Sequence, residues 1–243
     1  MGKIGFGYGS EWHLLRYLGY HREYLSLRTL EITGGKSLEW LDINFSNINK
    51  PLKDDKEFIG IEFINDSRVQ KNWKLFWPQT GNSQNWDAVG KIHFGSYDEW
   101  VLVEAKGYIG ELISRCGAKN AQSKQKIHVA LEKACQAFGN QSKPVENWLE
   151  PYYQYANRLG VLYFLMNECI PSENARLLFI YFYGENRVNL ECPQNELEWL
   201  PAIEKVYDRL GININFELTK RIHHLFLPVN LLGNGVRPKS KGR

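Results

Sequence analysis

The sequence predicts an α/β protein with a central mixed β-sheet flanked by helices, and three stretches carry that expectation. Leu177-Leu178-Phe179-Ile180-Tyr181-Phe182-Tyr183 is an uninterrupted apolar and aromatic run ending at Gly184, the pattern of a strand buried on both faces. Residues 85–90 and 100–107 form two strand-like runs separated by a hairpin-sized gap centred on Gly95-Ser96. Helical periodicity appears at 9–24 and again at 151–167. The chain has 243 residues, 43% hydrophobic and 23% charged, which suits one domain with a sizeable core.

Taken in order, residues 9–24 read as a helix with Ser10 as cap and Leu14, Leu15 and Leu18, with Tyr17 or Tyr20, along one side. Residues 28–40 read as a mixed strand and short helix, and the Asn-, Lys- and Asp-rich stretch 43–57 as a solvated loop. Residues 58–64 are a strand candidate, and 71–84 a loop leading into the strand that carries Asp87. After Gly107 a helical region spans 109–138. Gly139-Asn140-Gln141-Ser142-Lys143-Pro144 then breaks the chain before the apolar helix 151–167, expected to back the sheet. A helix over 196–210, interrupted by Pro201, and a final strand within 214–227 form a C-terminal helix-strand addition. The domain is expected to span 1–232, with 233–243 a basic flexible tail carrying Arg237, Lys239, Lys241 and Arg243.

The chemistry concentrates in the hairpin. Residues alternate faces along a strand, so Glu104 and Lys106 project to one side while Val101, Val103 and Ala105 fill the other. Burying unpaired charges costs several kcal/mol per ion, so these two need a partner, a metal or an open cleft. A tight turn at Gly95-Ser96 pairs residues whose numbers sum to about 191 to 193, which sets Asp87 opposite Glu104 to Lys106. Two carboxylates with an ammonium beside them form a site for Mg²⁺ or Mn²⁺ that can hold a phosphate and orient a water.

Asp87 and Glu104-Ala105-Lys106 resemble the motif of the PD-(D/E)XK, or restriction-endonuclease-like, nuclease superfamily. The resemblance implies an α-β-β-β-α-β core over roughly residues 8–185. It implies that Asp87 and Glu104 bind the divalent metal, that the Ala105 carbonyl can complete the shell, and that Lys106 positions or activates the attacking water. Glu11, in Gly9-Ser10-Glu11-Trp12, looks like the extra acidic residue that such nucleases often carry on the first helix. The motif's leading proline is replaced by Trp86. The Gln-x-x-x-Tyr signature of one subgroup is missing, because Gln122, Gln125 and Gln154 are followed four residues on by Lys126, Val129 and Arg158.

Glu-x-Lys alone carries little information, since a chain of this length holds about one by chance. Asp54-Asp55-Lys56 shows as much, lying in a polar loop with no strand before it. Only Glu104-x-Lys106 ends an apolar β-branched run, follows an Asp-bearing strand and precedes a glycine.

Other residues have a bland reading beside the functional one. Glu11 answers a helix dipole as well as it assists a metal. His13 is an ordinary packing or surface histidine, and Glu62 an edge-facing charge more readily than a ligand. Trp73 and Trp77 either stack on bases or seal the core under the site. Lys119, Lys124, Lys126 and His128 either follow a phosphate backbone or solvate a helix face. His223 and His224 are adjacent on a strand and so face opposite ways.

A net charge of +3 permits nucleic-acid binding without requiring it. Cys116, Cys135, Cys169 and Cys192 form no Cys-x-x-Cys pair, which favours reduced thiols and a cytoplasmic location. No run is apolar enough to span a bilayer.

The functional expectation is therefore a Mg²⁺- or Mn²⁺-dependent nuclease acting on nucleic acid, DNA favoured, with a homodimer suited to cutting both strands. The alternative is a non-catalytic nucleic-acid-binding or interaction module on the same fold. A glycosidase using Asp87 and Glu104 fits less well, because Lys106 favours ionised carboxylate over the raised pKa of a general acid.

Overall fold

The computed structural model describes residues 9–41, 57–79, 84–140 and 142–231. Helices α1 (Ser10–Tyr20) and α2 (Arg22–Thr33) lead into strand β1 (Ser37–Trp40). A short strand β2 (Phe58–Ile59), helix α3 (Ser67–Phe76) and strand β3 (Asn85–Trp86) come next, then the hairpin strands β4 (Ala88–His93) and β5 (Asp98–Lys106). Helices α4 (Ala121–Ala137), α5 (Glu146–Leu149) and α6 (Tyr153–Tyr163) precede β6 (Ala175–Tyr183), and α7 (Leu200–Leu210) and β7 (Ile222–Pro228) close the order.

The fold is α/β, with a five-stranded mixed sheet in the order β1-β4-β5-β6-β7 between two helical layers. β1 pairs antiparallel with β4 and β4 with β5, whereas β5 pairs parallel with β6 and β6 with β7. The period of two sorts the core. Val101, Val103 and Ala105 of β5, with Leu178, Ile180 and Phe182 of β6, pack against Leu14, Tyr17 and Leu18 of α1 and Leu25 of α2. On the opposite face Leu102, Phe179 and Tyr181 pack with α3, α4, α6 and α7 through Trp73, Leu131, Leu159 and Val206. Glu104 and Lys106 point to this second, larger side.

Several expectations shift. The first helix ends at Tyr20, and a second helix, with His21 at its N-cap, runs from Arg22 to Thr33; Gly9, not Ser10, is the N-cap of α1. Residues 58–64 give only a two-residue strand, after which Glu62 Oε1 accepts from the Ile59 N–H at 2.9 Å within a turn. Residues 71–84 are not all loop, because Asp66 caps α3 by accepting from the Arg68 N–H at 2.8 Å and the Val69 N–H at 3.4 Å. Trp73 and Trp77 are buried and stack on each other, so they seal the core. The 109–138 region is a 3₁₀ turn, an extended link and α4. Pro201 lies in the first turn of α7, where proline is tolerated, rather than interrupting it. The polar stretch 43–57 lies, apart from Glu57, outside the described residues, as does the tail 233–243.

Candidate active site

The β4–β5 register places the motif. Ala88 pairs with Val103 and His93 with Asp98, so Asp87 sits beside Glu104, within the expected range. The Asp87 N–H donates to the Val103 carbonyl at 3.2 Å and the Ala105 N–H donates to Asp87 Oδ2 at 2.6 Å. A strand residue sends its N–H and C=O to the same neighbour, so the Ala105 carbonyl also faces the Asp87 side. Because β5, β6 and β7 are parallel, these groups gather at the carboxyl ends of the parallel strands, where open α/β sheets place their ligands.

Glu104 and Lys106 are 3% and 5% exposed; both Glu104 oxygens have a cationic partner, while Lys106 uses two of its three donors. Lys106 Nζ donates to Glu104 Oε1 and to Gln154 Oε1, the latter at 2.7 Å. An ammonium has only donors, which fixes the Gln154 oxygen toward it. The other Glu104 oxygen accepts from Arg158 Nε at 2.7 Å. Arg158 goes on to Asn157 Oδ1 at 2.9 Å and to the Asn85 carbonyl at 2.6 Å, with its guanidinium 4.7 Å from the centre of the Trp86 ring. Gln154 and Arg158 lie one turn apart on α6, so one helix face reads both members of the Glu104–Lys106 pair. Gln154-x-x-x-Arg158 has the spacing of the Gln-x-x-x-Tyr signature with arginine in place of the tyrosine. The spacing of four was the usable signal.

These contacts set opposite titration behaviour for the two carboxyls. Burial alone would raise the Glu104 pKa, but the Arg158 and Lys106 charges outweigh it and hold the group below its usual value. Asp87 is pushed up to about 7, first by burial and next by the Glu104 charge, with Lys106 opposing. Two adjacent carboxylates with one near half-ionised at neutral pH are a recurrent mark of functional clusters.

Asp87 lies on the wall of a cleft of about 900 Å³ that is also lined by Gln84, Asn85, Arg115, Lys119, Gln154 and Arg158. Lys119 thus faces the cleft, while Lys126 donates to the Lys74 carbonyl at 2.7 Å. Glu11 is exposed in the first turn of α1, and no hydrogen bond or ion pair among the described residues joins it to Asp87, Glu104 or Lys106. Its neighbour Ser10 does abut the end of β5: a Cβ on Gly107 would lie 3.0 Å from the Ser10 nitrogen, a tight contact that glycine avoids. A carboxylate that sequence reasoning missed occupies that junction. Glu111 Oε2 accepts from the Gly107 N–H at 2.6 Å. Burial raises its pKa, and the Gly107 N–H, the Lys106 charge and Ser10 oppose the rise.

Among the described residues no cluster of three or more His, Cys, Asp or Glu side chains is arranged to hold a metal ion. The donors at hand are Asp87, Glu104 and the Ala105 carbonyl. That set suits Mg²⁺ or Mn²⁺, since Mg²⁺ commonly takes one or two carboxylates and keeps several waters. Against that fit, both Glu104 oxygens are held by Lys106 and Arg158, so a cation would have to displace one of them, and the raised Asp87 pKa comes first from burial. The histidines His13, His223 and His224 have structural partners. His13 pairs with Glu185 at 3.2 Å, while His223 meets Arg176 and His224 meets Tyr207 on opposite faces of β7. The four cysteines are free thiols, and no helix among the described residues is long and apolar enough to cross a membrane. No family model, curated protein or solved structure matches the chain.

Proposed function

We propose that this protein is a metal-dependent nuclease of the PD-(D/E)XK, restriction-endonuclease-like type, hydrolysing phosphodiester bonds of nucleic acid, with DNA favoured. The observation that carries the reading is the convergence of Asp87, Glu104 and Lys106 at the carboxyl end of β5, with Asp87 facing a cleft large enough for a nucleotide. Asp87, Glu104 and the Ala105 carbonyl would hold Mg²⁺ or Mn²⁺, which when bound supplies Lewis-acid stabilisation of charge at phosphorus and lowers the pKa of water.

The chain's own groups have distinct work in this reading. Lys106, fixed between Glu104 and Gln154, holds an ammonium beside the two carboxylates, where it donates to the attacking water or a phosphate oxygen. Arg158 keeps Glu104 ionised and locked against α6, so the carboxylate does not wander when Lys106 turns toward substrate. Arg115 and Lys119 add positive charge along the cleft for the polyanion. Glu11 keeps the assisting role that the resemblance gives it, from the first turn of α1.

One observation favours a second reading, a non-catalytic nucleic-acid-binding module: both Glu104 oxygens are already taken by cations. The experiment that separates the two is cleavage of single- and double-stranded DNA and RNA with Mg²⁺ or Mn²⁺, comparing wild type with Lys106→Ala. Cleavage by wild type that disappears in the variant establishes the nuclease. Nucleic-acid binding without cleavage, together with calorimetry showing no Mn²⁺ uptake sensitive to Glu104→Gln, establishes the module.

A further inference from the structure

The pairing of β4 with β5 closes at Ala88 and Val103, before the strand reaches Lys106. Beyond it, two N–H groups at the end of β5 are taken by carboxylates and not by a strand. Ala105 donates to Asp87 Oδ2 and Gly107 to Glu111 Oε2, each at 2.6 Å. Such charge-assisted bonds are roughly twice as strong as those between neutral groups. On its other edge β5 stays paired with β6 as far as Lys106 and Tyr181. Glu111 is itself placed from outside the sheet. It lies in the 3₁₀ turn Ile109–Leu112, where the Ile109 N–H donates to the Glu191 carbonyl at 3.0 Å and Leu112 is buried in the larger core. The peptide that follows Lys106 is thus held by a carboxylate with its own anchor.

Lys106 Nζ spends two of its three donors on Glu104 and Gln154. The third N–H of a tetrahedral ammonium then follows from the other two and from the strand end on which the side chain stands. We propose that Glu111 is a positioning residue of this site: by holding the Gly107 N–H it fixes the end of β5, so that Lys106 presents its third donor to the attacking water or a phosphate oxygen. The inference rests on the nuclease reading. Glu111 acts through Lys106 and touches no substrate itself. Its leverage is geometric, because a misplacement of about 1 Å in a reacting group costs on the order of a hundredfold in rate.

The test is steady-state cleavage of single- and double-stranded DNA and RNA oligonucleotides in Mn²⁺ by the full chain and its Glu111→Ala and Glu111→Gln variants, each assayed well below its own melting temperature. Glu111→Ala should lower kcat by on the order of tenfold to a hundredfold and leave KM near wild type, because the lost aim matters in the transition state and not in binding. Glu111→Gln keeps an acceptor for the Gly107 N–H and should recover most of the lost kcat. A Glu111→Ala enzyme that melts earlier but turns over at the wild-type kcat overturns the positioning role, since Glu111 is then structural alone. Glu111→Gln as deficient as Glu111→Ala overturns the route through the Gly107 N–H. Both of these outcomes leave the nuclease reading standing, because wild type still cuts. Wild type that cuts none of the oligonucleotides overturns that reading and the part of Glu111 with it.

Discussion

Arg158 Nε donates to Glu104 Oε2 at 2.7 Å across 54 residues of sequence, and both side chains are 3% exposed. The same guanidinium reaches the Asn85 carbonyl and Asn157, so it ties β3, β5 and α6 together at the point where Asp87 enters the site. Removing Arg158 leaves Glu104 with one of its two cations, Lys106, so the cost should fall below the ~3–5 kcal/mol of breaking a lone buried pair, at about 1–3 kcal/mol. Arg158→Met, which keeps the packing on Trp86, should lower stability by that amount in chemical denaturation. Arg158→Lys should recover only part of it, because a point-like ammonium cannot serve three acceptors at once. The double variant Glu104→Gln/Arg158→Met should be no more stable than Arg158→Met alone, because it also takes from the buried Lys106 its carboxylate partner; a clearly more stable double variant would show that Lys106 does not depend on Glu104.

Asp87 gives a pH dependence of stability with an unusual sign. Its folded pKa, about 7, lies above its ordinary value of 3.8, so between those limits the folded chain binds more protons than the unfolded one. Its contribution to stability therefore falls as pH rises from about 4 to 7 and is constant outside that window. Asp87→Asn keeps an oxygen for the Ala105 N–H and carries no charge. In metal-free buffer the variant should be more stable than wild type at pH 8, and the advantage should vanish near pH 4. Urea unfolding across that range provides the difference curve, and a flat one would contradict the raised pKa.

The sheet and the motif were legible because each rests on a short-range signal. Glycine at the turn fixed the hairpin register, the alternation of Val101, Val103 and Ala105 with Glu104 and Lys106 fixed the faces, and the apolar 177–183 run fixed β6. What stayed hidden depended on contacts between distant segments. Gln154 and Arg158 reach Lys106 and Glu104 from 48 and 54 residues away, and their spacing of four joins glutamine to arginine and not to tyrosine. Glu111 was lost because 109–138 read as helix throughout, which would have left it an ordinary exposed carboxylate. Helix α3 had its cap, Asp66, and its apolar Val69, Trp73 and Phe76 in view, but the aromatic density suggested a loop.

Glu111 should act through the backbone it holds. Its carboxylate accepts from the Gly107 N–H, directly after Lys106 and against the start of α1. Glu111→Ala strands that donor and should cost about 1–3 kcal/mol. Glu111→Gln retains an acceptor and should stay within about 1 kcal/mol of wild type. Denaturation midpoints of the two variants are the check, with equal losses in both pointing to the charge and not the hydrogen bond.

His224 carries an acid sensitivity opposite in sign to that of Asp87. It is pushed down to about 4, first by burial and next by the His223 charge, and its Nδ1 is buried without a partner among the described residues while Nε2 lies 2.9 Å from the Tyr207 hydroxyl. A folded pKa below the unfolded 6.5 means that the unfolded chain takes up the proton first, so this contribution is intact above about 6.5 and is lost as pH falls toward 4. His223 behaves alike, lowered to about 4 by burial and by Arg176 and Arg221. His224→Gln retains an acceptor for Tyr207 and removes the titration. The slope of unfolding free energy against pH between about 4 and 6.5 should then shallow by up to one proton, whereas Asp87→Asn should steepen it over the same interval. Slopes that move together in the two variants would show that at least one of these groups does not titrate in the folded chain as its surroundings dictate.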